Sequence, residues 1–235
     1  MRAVILVFLL LSSPLLRADL VRIATASNFK STLIEINALF EARYGHKTLL
    51  SSASTGTLYN QIKYGAPFDV FFAADSASPL KLEQSGFGVA GQRFCYARGS
   101  LVLLGSKNSA ADLANPRLSL AIANPNTAPY GRAALEVLHR PEFSGAASRK
   151  LVRANNAIQA YQHWHSSTVR LALVPLSLSA GQGTDIPPDW YTPIEQHVIA
   201  LRRGQDNPAA RAYLRWIRSE KVRALIDNAG YGACL

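Results

Sequence analysis

Cysteine is scarce in this chain: two in 235 residues, Cys95 and Cys234. That excludes a disulfide-rich scaffold and any multi-cysteine zinc framework. After the N-terminus no stretch reaches the roughly 18 apolar residues that a membrane-spanning helix needs. No Gly/Ser-rich linker, internal repeat or low-complexity tract interrupts the chain. Neither a P-loop nor a Gly-x-Ser-x-Gly elbow is present. Acidic residues are also few, 15 against 25 Lys and Arg, which leaves a formal charge of +10. What remains is an ordinary globular composition, 49% apolar and 17% charged. The length suffices for one large or two small domains with a sizeable core.

The N-terminus has its own pattern. Arg2 precedes an apolar run, Ala3–Leu11, which Ser12-Ser13-Pro14 breaks before Leu16-Arg17-Ala18. Residues 1–18 are read as a cleavable secretory signal peptide, despite a large Leu16 at the −3 position. Removing Arg2 and Arg17 lowers the charge from +10 to +8. Export changes the meaning of that charge. The Lys and Arg are dispersed, and Arg211, Arg215 and Arg218 fall at helical spacing as one solvated face. No basic run is interleaved with aromatics, so no nucleic acid partner is expected. A positive field instead concentrates small anions.

Strand and helix patterns alternate. Leu20–Ala26 reads as a strand, and Phe29–Tyr44 as a helix with Phe29, Leu33, Ile36, Phe40 and Tyr44 on one stripe. Lys47–Ser52, Asp69–Ala74, Leu101–Leu104, Leu118–Ala123, Leu151–Ala154, Leu171–Val174 and Val198–Leu201 read as further strands. Helices are expected over Thr57–Tyr64, Pro79–Gln84, Tyr130–Leu138, Ala157–Trp164, Ala209–Ser219 and Lys221–Asn228. Such alternation predicts an α/β fold of mostly parallel sheets covered by helices.

Four strand ends carry small, neutral, donor-rich sequence and then start a helix: Ser27-Asn28, Ala53-Ser54-Thr55-Gly56, Asn124 to Gly131, and Asn155-Asn156-Ala157. Ligands of open α/β sheets bind beyond the carboxyl ends of strands. A helix N-terminus offers unpaired N–H groups and a partial positive charge. Each start is also an ordinary helix cap. Four in the same phase point to convergence on one anion, with no cationic side chain required.

The same segments carry a resemblance. Ala24-Thr25-Ala26-Ser27-Asn28-Phe29, Ser51 to Leu58, Gly65-Ala66-Pro67-Phe68-Asp69-Val70-Phe71, Gly99-Ser100-Leu101-Val102, Asn124-Pro125, Ala128-Pro129-Tyr130-Gly131, Asn156-Ala157-Ile158-Gln159-Ala160 and Tyr231-Gly232 resemble, in order, the periplasmic molybdate-binding proteins of ABC importers. The resemblance implies a two-lobed periplasmic solute-binding fold, each lobe a mostly parallel sheet flanked by helices, with the ligand in the cleft between lobes. Lobe one would hold residues 19–98 plus 200–235, and lobe two residues 99–199. Ser27 and Thr55 would supply hydroxyl and backbone donors, Asn28 its backbone N–H, and Tyr130 and Ala157 backbone N–H groups. It further implies molybdate or tungstate as transported ligand, no cofactor, a membrane permease as partner, a monomer, and no enzymatic activity.

Two departures stand out. Some relatives place a Tyr hydroxyl on the oxyanion from the turn that here reads Val174-Pro175-Leu176-Ser177, and Gly56 replaces a Ser of some relatives. These motivate the alternative of another small anion, such as sulfate, phosphate or an organic anion. A secreted hydrolase of anionic esters would need a His partner for Ser27. His163 and His165 are two apart on a helix and share no face, so no metal site is expected. Cys95 and Cys234 form an even pair in an exported chain, which leaves open a disulfide or two separate thiols.

Overall fold

A computed structural model describes residues 19–107 and 109–234. The expected signal peptide, residues 1–18, lies outside them. The chain begins with β1 (Leu20–Ala26). It passes through a 3-10 turn at Ser27–Phe29 into α1 (Lys30–Tyr44). Gly45 ends that helix in the left-handed conformation, φ 71°, with its N–H on the Glu41 carbonyl. Only glycine adopts that conformation without a Cβ penalty. β2 (Lys47–Ala53) then lies parallel to β1, paired from Leu20↔Lys47 to Ala26↔Ala53. Both strands therefore end level, and the helix starts that follow them share one sheet edge.

α2 (Thr55–Lys63), β3 (Val70–Phe72), α3 (Ala77–Gln84) and β4 (Gly88–Gly99) complete the first pass. After Ser100 the chain enters a second sheet through β5 (Leu101–Leu104). There follow β6 (Leu120–Ala123), α4 (Pro129–Leu138), β7 (Leu151–Ala154), α5 (Ala157–His165), β8 (Leu171–Pro175) and β9 (Thr184–Asp185). β10 (Ile194–Leu201) returns to the first sheet, before α6 (Pro208–Ile217) and α7 (Glu220–Asn228).

The strand orders are β2-β1-β3-β10-β4 and β7-β6-β8-β5-β9. The two-lobed α/β expectation holds, with one correction of detail. Each sheet has two parallel and two antiparallel pairings, so it is mixed rather than mostly parallel. The antiparallel pairs involve β10 and β4 in one sheet and β5 and β9 in the other. These flank the two crossings between lobes, where the chain arrives without a covering helix to reverse it.

The expected lobe boundary at residue 200 falls inside β10. All eight residues of that strand belong to the first sheet, so the crossing back precedes Ile194. Glu195, Gln196 and His197 conceal its first half from an apolar pattern. β4 has no counterpart in the sequence reading. It carries Gly88, Gly91 and Gly99 and sits at a sheet edge, with Ala90, Gly91 and Gln92 exposed. Edge strands need no continuous apolar run.

Each sheet is buried on both faces. Leu101 and Leu103 pack in one cluster while Val102 and Leu104 pack in another on the opposite face. That explains the unbroken apolar sequence of β5. In the first sheet Phe29, Phe40, Phe72, Tyr96, Tyr213 and Trp216 fill one face, and Leu58, Phe71 and Leu82 the other.

Candidate functional site

The level ends of β1 and β2 place Ser27 and Ser54-Thr55 along one edge of the first sheet. Ser54 caps α2, its Oγ accepting the Thr57 N–H at 3.4 Å. The cap therefore serves the third helical N–H and leaves those of Thr55 and Gly56. This is why α2 starts two residues before the sequence-based expectation. The Thr55 Oγ1 accepts the Ala74 N–H at 3.0 Å, so its own proton remains free to donate.

The second sheet repeats the arrangement. β6 and β7 also end level, at Ala123↔Ala154. α4 begins with Pro129 at its first turn and has no side-chain cap. Pro lacks an N–H that the first turn could not satisfy anyway. At Gly131 a Cβ would overlap the carbonyl of Ala123, so only glycine lets this helix start lie against the strand end. Asn156 caps α5 by accepting the Gln159 N–H at 3.0 Å, which leaves the Ala157 N–H uncapped.

The lobes meet at these starts. The Ala157 N–H donates to Ser27 Oγ at 3.2 Å. The Gly56 N–H donates to the Thr127 carbonyl at 2.8 Å. The Ser177 hydroxyl donates to the Asn28 carbonyl at 3.3 Å. At the rim Arg132 pairs with Asp75 at 3.0 Å. Ser27, Asn28, Thr55, Tyr130 and Ala157 are all buried. Ser27 and Ala157 touch directly. Thr55 joins through its neighbour Gly56. Asn28 and Tyr130 join through a residue that sequence reasoning missed, Gln196.

Asn28 does not present its side chain to the cleft. Its Nδ2 donates to Gln196 Oε1 at 2.7 Å and to the Tyr231 hydroxyl at 3.2 Å. The Tyr231 hydroxyl in turn donates to the Asn28 carbonyl at 2.8 Å. Tyr130 accepts from Gln196 Nε2 at 3.2 Å. Burial pushes the Tyr96, Tyr130 and Tyr231 hydroxyls well above the usual phenol range, so all stay neutral. A disulfide, Cys95–Cys234, with Cα atoms 6.0 Å apart, pins the C-terminal segment to β4. Beside it Arg98 and Gly232 form an antiparallel bridge, which brings Tyr231 over Asn28.

The chemistry of this set is narrow. Every donor is neutral, and at the rim Arg132 is paired with Asp75. Ser27 Oγ accepts a backbone N–H, which leaves its hydroxyl proton as a donor. Among the described residues its hydrogen-bond partner is the Ala157 N–H. Among the described residues no group of three or more His, Cys, Asp or Glu could hold a metal ion. An oxyanion whose oxygens accept several N–H and O–H bonds matches what is offered. In the turn where some relatives carry a Tyr, the structure has Ser177, which bonds the opposite lobe.

Residues 21–232 match the family of bacterial extracellular solute-binding proteins. The chain is 41% identical to the molybdate-binding protein ModA of Azotobacter vinelandii over 225 residues, 90% of this chain and 89% of that one. It is 34% identical to the molybdate-binding protein ModA of Rhodobacter capsulatus over 217 residues, covering 88% and 86%. Among solved structures, the periplasmic molybdate-binding protein of Azotobacter vinelandii superposes with a TM-score of 0.85 at 34% identity, covering 92% of this chain and 100% of that one. The sulfate-binding protein SubI of Mycobacterium tuberculosis shares the fold, with a TM-score of 0.78 at 10% identity over 91% and 86% of the two chains.

Proposed function

The chain belongs to the family of bacterial extracellular solute-binding proteins, and we propose that it captures molybdate, and tungstate equally, in the periplasm. It then delivers the anion to the membrane permease of an ABC importer. It works as a binding protein, not as an enzyme. The ligand is held between the lobes by the Ser27 and Thr55 hydroxyls and by backbone N–H groups of Ser27, Asn28, Thr55, Tyr130 and Ala157.

The observation that carries this reading is the direct meeting of Ser27 and Ala157 across the cleft. Two helix starts from different lobes are aimed at one point, and both donors are neutral. A dianion on fixed dipoles is bound without a counter-charge and is released more readily than one held by buried Arg or Lys. Hinge closure around the ligand follows from the two crossings between sheets.

Calorimetric titration of the ligand-stripped protein tests the reading. Molybdate and tungstate should bind one-to-one with similar affinity, and sulfate and phosphate should give little heat. Sulfate is smaller, so donors spaced for molybdate leave some bonds unmade, and unmade buried bonds are costly. Preference for sulfate or phosphate would keep the fold and refute the ligand.

A further inference from the structure

Gln196 sits on β10, the strand by which the chain returns from the second sheet to the first. Its side chain is 0% exposed. Residues of different lobes use the two ends of its amide. Oε1 accepts from Asn28 Nδ2 at 2.7 Å and from the Tyr96 hydroxyl at 3.2 Å. Nε2 donates to the Tyr130 hydroxyl at 3.2 Å. Asn28 is the middle residue of the turn that starts α1, and Tyr130 the second residue of α4.

The local backbone makes room for this arrangement. A Cβ at Gly99 would overlap the Tyr130 hydroxyl and lie 3.0 Å from Gln196 Nε2. The crossing from β4 to β5 is thus cleared for one side-chain contact between lobes. An apolar residue at 196 would pack in a strand with less risk, since a buried amide is tolerated only when its ends are paired. Here both ends are paired, and the partners include both helix starts.

We propose that Gln196 is a positioning residue of the oxyanion site. Through Asn28 and Tyr130 it fixes the register at which N–H groups from both lobes converge on one tetrahedral anion. This rests on the oxyanion reading above. Gln196 touches no ligand itself. A fixed register also sets the spacing of donors, so it contributes to discrimination between molybdate and the smaller sulfate.

Two variants test this. Gln196→Leu removes both polar ends, and Tyr130→Phe removes only the contact to the second lobe. Each should weaken molybdate binding by about tenfold, roughly the worth of one buried hydrogen bond, and narrow the gap to sulfate. The double variant should be no weaker than Gln196→Leu, because both changes break the same contact. Hydrogen exchange of the anion-free protein supplies a readout that needs no ligand. Gln196→Leu should speed exchange at residues 27–30 and 130–132 together, on different lobes. Tyr130→Phe should speed it mainly at 130–132.

A merely structural Gln196 would lower the melting temperature without changing the affinity or selectivity of the folded protein. Folded variants that bind molybdate within about twofold of the unsubstituted protein would overturn the proposal, since that is less than one hydrogen bond. So would exchange that rises at neither helix start. If the unsubstituted protein binds none of the oxyanions, the functional reading fails, and the exchange pattern alone decides the positioning role. If Gln196→Leu does not fold, Tyr130→Phe decides it.

Discussion

The Ser27 hydroxyl oxygen accepts the N–H of Ala157 at 3.2 Å, across 130 positions of sequence and between two lobes. The contact joins the end of β1 in one sheet to the start of α5 on the other. It leaves one proton on the hydroxyl. An oxyanion bound here meets hydroxyl and N–H donors.

Loss of a hydroxyl should therefore weaken binding. Ser27→Ala and Thr55→Ala are each expected to cost about 1.5–3 kcal/mol of binding, the range for hydrogen bonds to charged groups, or roughly ten- to hundredfold in affinity. Calorimetric titration measures the loss. Scanning calorimetry of the anion-free variants should show a lower melting temperature for Thr55→Ala, which orphans the buried Ala74 N–H, and a smaller drop for Ser27→Ala, whose partner N–H lies on the other lobe. Unchanged affinity in both variants would remove these side chains from the site.

Gly56 should limit how closely the lobes approach. A Cβ there would lie 3.1 Å from both the Cα and the carbonyl oxygen of Thr127 on the opposite lobe. Gly56→Ala must then widen the cleft or shift that backbone. The expected result is weaker oxyanion binding, because the clash lies where the lobes meet. Small-angle scattering with saturating molybdate should give a larger radius of gyration than the unsubstituted protein. An equal radius and equal affinity would contradict this.

The Cys95–Cys234 disulfide closes a loop of 139 residues. Chain-entropy arguments assign such a crosslink about 4–5 kcal/mol. Reduction should lower the melting temperature clearly, and should also loosen Tyr231, which the bridge holds against Asn28. Mass spectrometry under non-reducing, alkylating conditions should find no free thiol. Two free thiols in the exported protein would remove the crosslink from the account.

Binding and stability should respond to pH differently. The donors are backbone N–H groups and hydroxyls, so oxyanion affinity should be flat between about pH 6 and 8, where none of them titrates. Stability has a titrating contributor in His197, half-buried on β10 with Arg93 at 2.8 Å from its Nδ1. Burial first, and then the Arg93 charge, hold its pKa below the ordinary value of 6.5. The unfolded chain therefore takes up a proton at a higher pH than the folded one. Stability is full above 6.5 and falls as pH drops through that value toward the lowered folded pKa. Denaturant midpoints from pH 8 down to 5 should decline, and His197→Gln should flatten part of that decline.

The helix starts that meet between the lobes were partly legible before the fold. Strand ends that pass through Ser, Thr and Asn into a helix are local signals, and the register of β1 with β2 and of β6 with β7 turns local signals into one edge. The stripe of Phe29, Leu33, Ile36, Phe40 and Tyr44 is equally local: Leu33, Ile36 and Phe40 are buried on α1 and Phe29 in the turn before it, while Tyr44 is only partly buried. β4 was not legible, because an edge strand with three glycines needs neither alternation nor an apolar run. Nor was the first half of β10, whose polar Gln196 is buried by partners 168, 100 and 66 positions away. A buried amide in a strand looks like a surface residue until the tertiary fold supplies its partners. The same limit hid the contact between Ser177 and Asn28, which occupies the turn where some relatives use a tyrosine.

The most direct test is anomalous diffraction at the molybdenum absorption edge from crystals of the protein grown with molybdate. The account predicts one strong molybdenum peak in the cleft, within hydrogen-bonding reach (through its oxygens) of the Ser27 and Thr55 hydroxyls and the N–H groups of Tyr130 and Ala157. A peak elsewhere on the surface, or an empty cleft at saturating molybdate, would contradict it.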